Sequence, residues 1–155
     1  IAATGKSVPD LMQAHWAEFG RNFYSRHDYE GIDAEVAQKL MEDLRLRLSD
    51  MAGTEWGGRM VEVADEFAYD DPVDGSRAEG QGLRVMFEGG GRAVFRLSGT
   101  GTSGATLRVY LEDYTDDPAR FGDDPQVALA DMIAAADALA GIAERTGRTA
   151  PDVRT

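Results

Sequence analysis

The sequence contains no cysteine, which excludes disulfide bonds and thiolate chemistry. It also lacks a long apolar run that would cross a membrane, and it has no charged-then-apolar signal peptide. Basic residues are few, because 16 Lys and Arg stand against 28 Asp and Glu and give a formal net charge of −12. This charge argues against nucleic acid or an anionic membrane as the main partner. We therefore expect a small partner, and a cytoplasmic location that fits the missing cysteine.

The length and composition are sufficient for one hydrophobic core, since 43% of the 155 residues are hydrophobic. One domain is the expectation, and the chain shows no internal repeat and no low-complexity segment. The first residue is Ile1 and not methionine, which indicates a fragment or a processed product.

The most informative stretch is a loop of glycine and hydroxyl residues, 98–104, between two strand-like runs. Glycines allow a backbone to turn its N–H groups inward, and hydroxyls add further donors. Arg96 precedes the loop and Arg108 follows it. A guanidinium offers a forked set of donors that fits a phosphate or a carboxylate. The pattern predicts a binding site for an oxyanion, with phosphate as the favoured ligand.

Two known phosphate motifs share the glycine spacing but fail in their surroundings. Gly99, Gly101 and Gly104 fit the G-x-G-x-x-G spacing of dinucleotide-binding folds. That motif needs a following helix, whereas residues 107–112 alternate with a strand period. The Walker A spacing also fits, yet Ala105 stands where the phosphate-binding lysine belongs. A glycine hairpin without any ligand is the alternative that these residues leave open.

Hydrophobic periodicity predicts three helices. The first runs over 7–20, with Ser7 in a capping box and His15 in a buried apolar stripe, which indicates a core histidine. The second runs over 33–51, and the third over 124–147 with a polar tail after it. Strand periods occur at 22–29, 60–69, 83–88 and 92–97, and again after the glycine loop. This order predicts an α+β domain, with an antiparallel sheet flanked by helices.

Two groups of polar residues suggest further sites, and each has a plainer interpretation. The aspartates of 70–76 have spacing that faintly resembles a calcium loop. Pro72 occupies a ligand position, however, and Gln81 stands where a bidentate glutamate is needed, so we predict a polar turn. The first strand carries basic residues that we predict to face solvent and not a ligand: Arg21, Arg26 and His27.

Three sequence blocks together resemble one known family. They are 96–108 with the pattern R-L-S-G-T-G-x-x-G-A-T-x-R, 71–76 with D-P-V-D-G-S, and 15–30 with H-W, G-R-N-F-Y-S-R and D-Y-E. Over nearly its whole length the chain is similar to the C-terminal domain of the α-D-phosphohexomutases, and specifically of their phosphoglucomutase branch. Phosphoglucosamine and phosphomannomutase relatives lack this glycine pattern, so the resemblance favours glucose specificity.

The resemblance implies a mobile domain with a TATA-box-binding-protein-like fold, the last of four domains around one cleft. Residues 1–20 correspond to the tail of the preceding domain and a hinge helix, and 21–155 to the C-terminal domain. His27 stands where the family usually has an aromatic residue, so the resemblance implies no function for it. Thr102 stands where a serine is common in the family. The family's phosphate loop, matched position by position, implies these contacts to a substrate phosphate: Arg96, Ser98, Gly99, Thr100, Gly101, Thr102 and Arg108.

The implied parent enzyme interconverts glucose 1-phosphate and glucose 6-phosphate through a bound glucose 1,6-bisphosphate, with Mg²⁺ as cofactor. By resemblance, a phosphoserine, a magnesium loop and a sugar-binding loop belong to the other three domains, and their motifs do not occur in this sequence. We therefore expect no catalytic residue here and no metal or cofactor bound by this fragment alone. The fragment is expected to grip the phosphate that is not transferred and to close the cleft.

The expected partners are a hexose phosphate and the other three domains of the parent chain, with no nucleic acid and no membrane. Two alternative functions stay open. In the first, the chain would be a domain of a non-catalytic phosphoglucomutase-like interaction protein. In the second, it would be a free-standing anion sensor. The sequence upstream of Ile1 separates these alternatives, because only the enzyme requires the phosphoserine motif.

Overall fold

A computed structural model of the chain describes residues 5–101 and 104–155. The helices of these ranges are Val8–Phe19 (α1), Ala34–Arg47 (α2), Pro125–Ala128 (α3), Ala130–Ala140 (α4) and Ile142–Thr146 (α5). The strands are Arg21–Ile32 (β1), Glu55–Trp56 (β2), Arg59–Asp70 (β3), Arg77–Phe87 (β4), Arg92–Gly101 (β5), Gly104–Thr115 (β6) and Val153–Arg154 (β7). Short 3-10 helices lie at Leu48–Asp50 and Pro118–Arg120.

Within the described ranges the strands form one seven-stranded sheet with the order β2-β3-β4-β5-β6-β1-β7. Each pair of neighbours is antiparallel. Strands that follow one another in sequence pair as hairpins from β2 to β6, and β1 enters beside β6. The predicted α+β class with an antiparallel sheet and flanking helices is confirmed.

One face of the sheet is the core. Every second side chain of β6 is buried, as are Ala93 and Phe95 of β5, and α2 and α4 contact these strands. Alternate side chains of a strand point to opposite faces, so the residues between them lie on the other side. We name that side the arginine face for its five arginines: Arg26, Arg84, Arg92, Arg96 and Arg108.

Helix α2 follows the sequence closely. Its N-cap is Asp33, whose carboxylate accepts the backbone N–H groups of Glu35 and Val36, at 2.9 and 3.1 Å. Leu40 and Leu44 of the predicted stripe are 1% and 0% exposed, so the helix is held by burial of this stripe against the sheet. The turn at 70–76 is polar as predicted, since the Asp71 and Asp74 carboxylates accept backbone N–H groups within it.

The first helix is capped as predicted but is not buried as predicted. Ser7 and Asp10 form the capping box, in which the Ser7 backbone N–H donates to an Asp10 oxygen at 2.9 Å. No described residue of α1 is buried, and His15 is exposed, so its assignment to the core is wrong. The helix precedes the sheet and contacts it through Tyr114 of β6, whose hydroxyl donates to the Phe19 carbonyl at 3.1 Å, and through Arg21 of β1, whose guanidinium lies 4.4 Å from the centre of the Trp16 ring.

The C-terminal part differs from the prediction in two ways. The single helix predicted over 124–147 is divided into α3, α4 and α5. The first break falls at Leu129, whose ψ of 6° departs from the helical value, and the second falls at Gly141, which adopts the left-handed conformation at φ 61° and ends α4. The predicted polar tail contains β7, which pairs with His27 and Asp28 of β1. Four described hydrogen bonds between the tail and β1 add to this pairing, including the bond from Asp152 N to the carbonyl of Asp28 at 2.8 Å.

Candidate functional site

The described part of the glycine loop, 98–101 and 104, belongs to the facing ends of β5 and β6. Ser98 pairs with Thr106, the register then shifts, and Gly101 pairs with Gly104. Gly99 has a φ of +67°, a conformation that side-chain-bearing residues rarely adopt, so the backbone turns here in a way that glycine permits. A shift of register leaves backbone groups unpaired with the neighbouring strand, and these are the groups that a ligand needs.

The predicted contacts are spread over both strands of this hairpin. Arg96, Ser98, Gly99, Thr100 and Gly101 belong to β5, and Arg108 belongs to β6. Thr102 lies outside the described residues. Binding of a phosphate by this set stays a prediction.

Arg96 and Arg108 are direct register partners across β5 and β6. Side chains at such positions lie on the same face with Cβ atoms about 5 Å apart. Two positive side chains on one face of neighbouring strands repel each other, and an anion between them would offset the repulsion. The expectation that the two arginines lie on the non-core face is confirmed. Their convergence at the loop stays a prediction, because Arg96 contacts Gln81 of β4 and Arg108 contacts Asp28 of β1. The arrangement is suited to a doubly charged oxyanion.

Arg96 has a weakly held side chain. Its described hydrogen bond runs from Nη2 to Gln81 Oε1 at 3.5 Å, which is the long limit for such a bond. The residue is exposed, and cavities of about 600 and 410 Å³ lie on its two sides. Its guanidinium can therefore turn to a ligand without breaking a strong interaction.

Gly82 makes room for the stem of Arg96. A Cβ atom at Gly82 would lie 2.8 Å from the Phe95 carbonyl oxygen and 2.9 Å from Arg96 Cγ. Gly82 also has a φ of +150°, so both its backbone and its surroundings favour glycine. The position of Arg96 on the sheet thus depends on a glycine of the neighbouring strand β4.

Arg108 is less exposed than Arg96. Its Nε lies 3.7 Å from Asp28 Oδ2 and is shielded from solvent, and it makes no hydrogen bond to any described residue. The side chain as a whole is 40% exposed. Asp28, Arg108 and Arg96 stand in one row across β1, β6 and β5.

The basic residues of β1 do not all face solvent, so that prediction is corrected. His27 is 2% exposed, and its Nε2 lies 2.9 Å from Gln126 Oε1. Burial is the main cause that lowers the pKa of His27, with the positive charge of Arg154 as a smaller cause in the same direction. Arg21 is half-buried, with its guanidinium 4.1 Å from the centre of the Phe23 ring.

Sequence reasoning missed Asp28 and Gln81 as neighbours of the arginines. Asp28 is 80 positions before Arg108 in the chain, and their contact depends on the β1–β6 pairing. The sequence did indicate that Asp28 and Arg26 lie on the same face of a strand, because they are two positions apart. That signal does not tell which strand lies beside β1.

The described residues contain no group of three or more His, Cys, Asp or Glu side chains placed to hold a metal ion. In the same part of the chain, no helix is both long and apolar enough to cross a membrane.

The chain is similar to phosphoglucomutases. Residues 21–152 match the family model of the phosphoglucomutase-1 C-terminal domain. A phosphoglucomutase of Rhizobium radiobacter is 53% identical over 155 residues, covering 100% of this chain and 29% of the relative. The cytoplasmic phosphoglucomutase of Populus tremula is 47% identical over 156 residues, covering 96% and 27%.

A solved structure agrees with these relatives. The open form of parafusin, an exocytosis-sensitive phosphoprotein and phosphoglucomutase from Paramecium, superposes with a TM-score of 0.83 at 36% identity. The superposition covers 99% of this chain and 26% of the parafusin chain. The chain therefore spans less than a third of the length of the relatives it matches.

Proposed function

Because this chain belongs to the phosphoglucomutase family, whose C-terminal domain it matches, we propose that it is the last domain of an enzyme that interconverts glucose 1-phosphate and glucose 6-phosphate. The domain binds the phosphate that is not transferred, and it is inactive alone. The observation that carries this proposal is the register pair of Arg96 and Arg108 beside the glycine loop.

The phosphate site consists of backbone and hydroxyl donors between two guanidinium groups. Arg96 and Arg108 supply charge, and the hairpin tip supplies neutral donors. Charge-assisted hydrogen bonds contribute about 1.5–3 kcal/mol each, which is sufficient to hold a dianion and still allows release. We assign the phosphate contacts to these residues: Arg96, Ser98, Gly99, Thr100, Gly101, Thr102 and Arg108.

Such a site recognises a phosphate and does not read the sugar. That property fits a reaction through glucose 1,6-bisphosphate, in which either end of the sugar must meet the reacting serine. The contribution of this domain is then the positioning of the substrate and stabilisation of its charge. We place the phosphoserine and the Mg²⁺ site on the other three domains. The described residues do not fit a magnesium site.

We propose that the domain boundary falls after residue 20. The family match begins at residue 21, and α1 has no buried described residue. Residues 1–20 would then be the end of the preceding domain and a hinge helix, and 21–155 the phosphate-binding domain. A cytoplasmic location is proposed from the name of the Populus relative.

Substitution of Arg96 in the full-length enzyme tests the phosphate site. Arg96→Ala is expected to raise KM for glucose 1-phosphate about 10- to 150-fold, since one charge-assisted bond of about 1.5–3 kcal/mol is lost. The free energy of unfolding should hardly change, because the side chain is exposed.

Arg92→Ala is the matched control. Arg92 lies on the same strand and face, four residues and about 13 Å from Arg96, and it pairs with Glu112. Its KM should stay within about twofold of the wild type, as expected of a surface pair. An unchanged KM in Arg96→Ala would refute the phosphate site. A full-length protein without the phosphoserine motif would instead favour the interaction protein.

A further inference from the structure

Asp28 is buried on a face where its neighbours are exposed. Its exposure is 3%, although Arg96 in the same row is exposed and Arg108 is half-buried. A buried carboxylate loses its hydration, and this loss is strongly unfavourable unless charged partners replace the water. The burial of Asp28 therefore has to be explained by its partners.

Two guanidinium groups supply this compensation. Arg26 Nε donates to Asp28 Oδ1 at 2.9 Å, and Arg108 Nε lies 3.7 Å from Oδ2. The two carboxylate oxygens thus face two different arginines. The backbone of Asp28 is fixed as well, since its carbonyl accepts the N–H of Asp152 at 2.8 Å. Asp28 is consequently a rigid anion under two positive side chains.

The contact between Asp28 and Arg108 is electrostatic, because 3.7 Å is too long for a hydrogen bond and Arg108 Nε has no hydrogen-bond partner among the described residues. This Nε is shielded from solvent and faces Asp28, so the 40% exposure of the side chain belongs to other atoms. The remaining donors of a guanidinium are on its two terminal nitrogens. Asp28 also offsets the repulsion between Arg108 and its register partner Arg96 before a ligand arrives.

We propose that Asp28 is a positioning residue that holds the Arg108 guanidinium beside Arg96 in the orientation that binds the substrate phosphate. This inference rests on the proposed function. Asp28 acts through Arg108 and does not touch the phosphate, because a carboxylate would repel it. Strand β1 then contributes to phosphate binding through Asp28, although it carries no part of the glycine loop.

Kinetics of the full-length enzyme with a double-mutant cycle test this role. The variants are Asp28→Asn, Arg108→Ala and the two combined, and KM for glucose 1-phosphate is measured together with kcat. Asp28→Asn should raise KM roughly tenfold, within the range of coupling between contacting residues, and change kcat little. In the Arg108→Ala background the same substitution should change KM less than about twofold. KM does not depend on the fraction of active enzyme, so partial unfolding does not obscure the result.

Asp65→Asn is the control. Asp65 pairs with Arg84 on the arginine face at 2.6 Å, and neither residue belongs to the glycine hairpin. Its KM should equal that of the wild type. If Arg108→Ala raises KM while Asp28→Asn behaves like Asp65→Asn, or if the two effects add fully, the role of Asp28 is refuted. If Arg108→Ala itself leaves KM unchanged, the proposed phosphate site is wrong.

Discussion

The substitution Gly82→Ala probes how the sheet makes room for Arg96. The new Cβ would lie 2.8 Å from the Phe95 carbonyl oxygen, 2.9 Å from Arg96 Cγ and 3.1 Å from Phe67 Cε1. The Phe95 oxygen belongs to the backbone of the neighbouring strand and cannot move alone. Gly82 and its neighbour must therefore shift apart, and Arg96 must move with them.

The expected loss of stability has two parts. The backbone conformation at φ +150° is unfavourable for alanine by about 1–3 kcal/mol. Overpacking of a filled site adds about 1–3 kcal/mol. Gly80→Ala is the matched control, because Gly80 has a φ of +64° but its nearest atom to an added Cβ is 4.0 Å away. Only the backbone part applies at Gly80.

Urea unfolding of the 155-residue chain measures the difference between the two variants. At a slope of about 2 kcal/mol per molar urea, the overpacking part should lower the midpoint of Gly82→Ala about 0.5–1.5 M below that of Gly80→Ala. In the full-length enzyme only Gly82→Ala should also raise KM for glucose 1-phosphate. Equal midpoints for the two variants would refute the steric reasoning.

Two further substitutions test the burial of polar groups. Burial lowers the pKa of His27 in the folded chain. Below about pH 6.5 the unfolded chain therefore binds a proton more readily at this residue than the folded chain does. The free energy of unfolding should consequently fall as the pH drops below that value. Unfolding titrations of His27→Gln should lose this pH dependence, and an unchanged slope would contradict the assignment. Asp113→Asn leaves the largely buried Arg59 guanidinium without its carboxylate and should cost about 3 kcal/mol, lowering Tm by roughly 6–12 °C. A Tm within 2 °C of the wild type in a thermal scan would show that the pair contributes little.

Elements defined by their own periodicity were predictable from the sequence. The α2 stripe, the alternation of β5 and β6 and the non-core placement of Arg96 and Arg108 each follow from residues within one element. The glycine hairpin was also predictable, since turn chemistry is local. These elements include most of the candidate site.

Features that depend on distant partners were not predictable. The α1 stripe has the same period as a buried helix, and only its position outside the core shows that His15 is exposed. The sequence 153–154 is too short to carry a strand period, and it becomes β7 because β1 offers a free edge. Gly141 lies within a continuous apolar pattern, so its left-handed turn was hidden by the alanines around it.

The partners of Arg96 and Arg108 were not predictable either, because they too come from distant strands. Asp28 and Gln81 reach Arg108 and Arg96 from β1 and β4. One-strand patterns give the face of each residue and leave the order of strands open. The sheet order was the missing information.

We propose above that the hairpin between Arg96 and Arg108 binds a sugar phosphate. The most direct measurement is a titration of ¹⁵N-labelled chain with glucose 1,6-bisphosphate, followed through the backbone amide resonances. We predict saturable shifts at Gly99 and Gly104 that are lost in Arg96→Ala and kept in Arg92→Ala. Amide resonances of the hairpin that stay in place at millimolar ligand, while the chain is folded, would contradict the account.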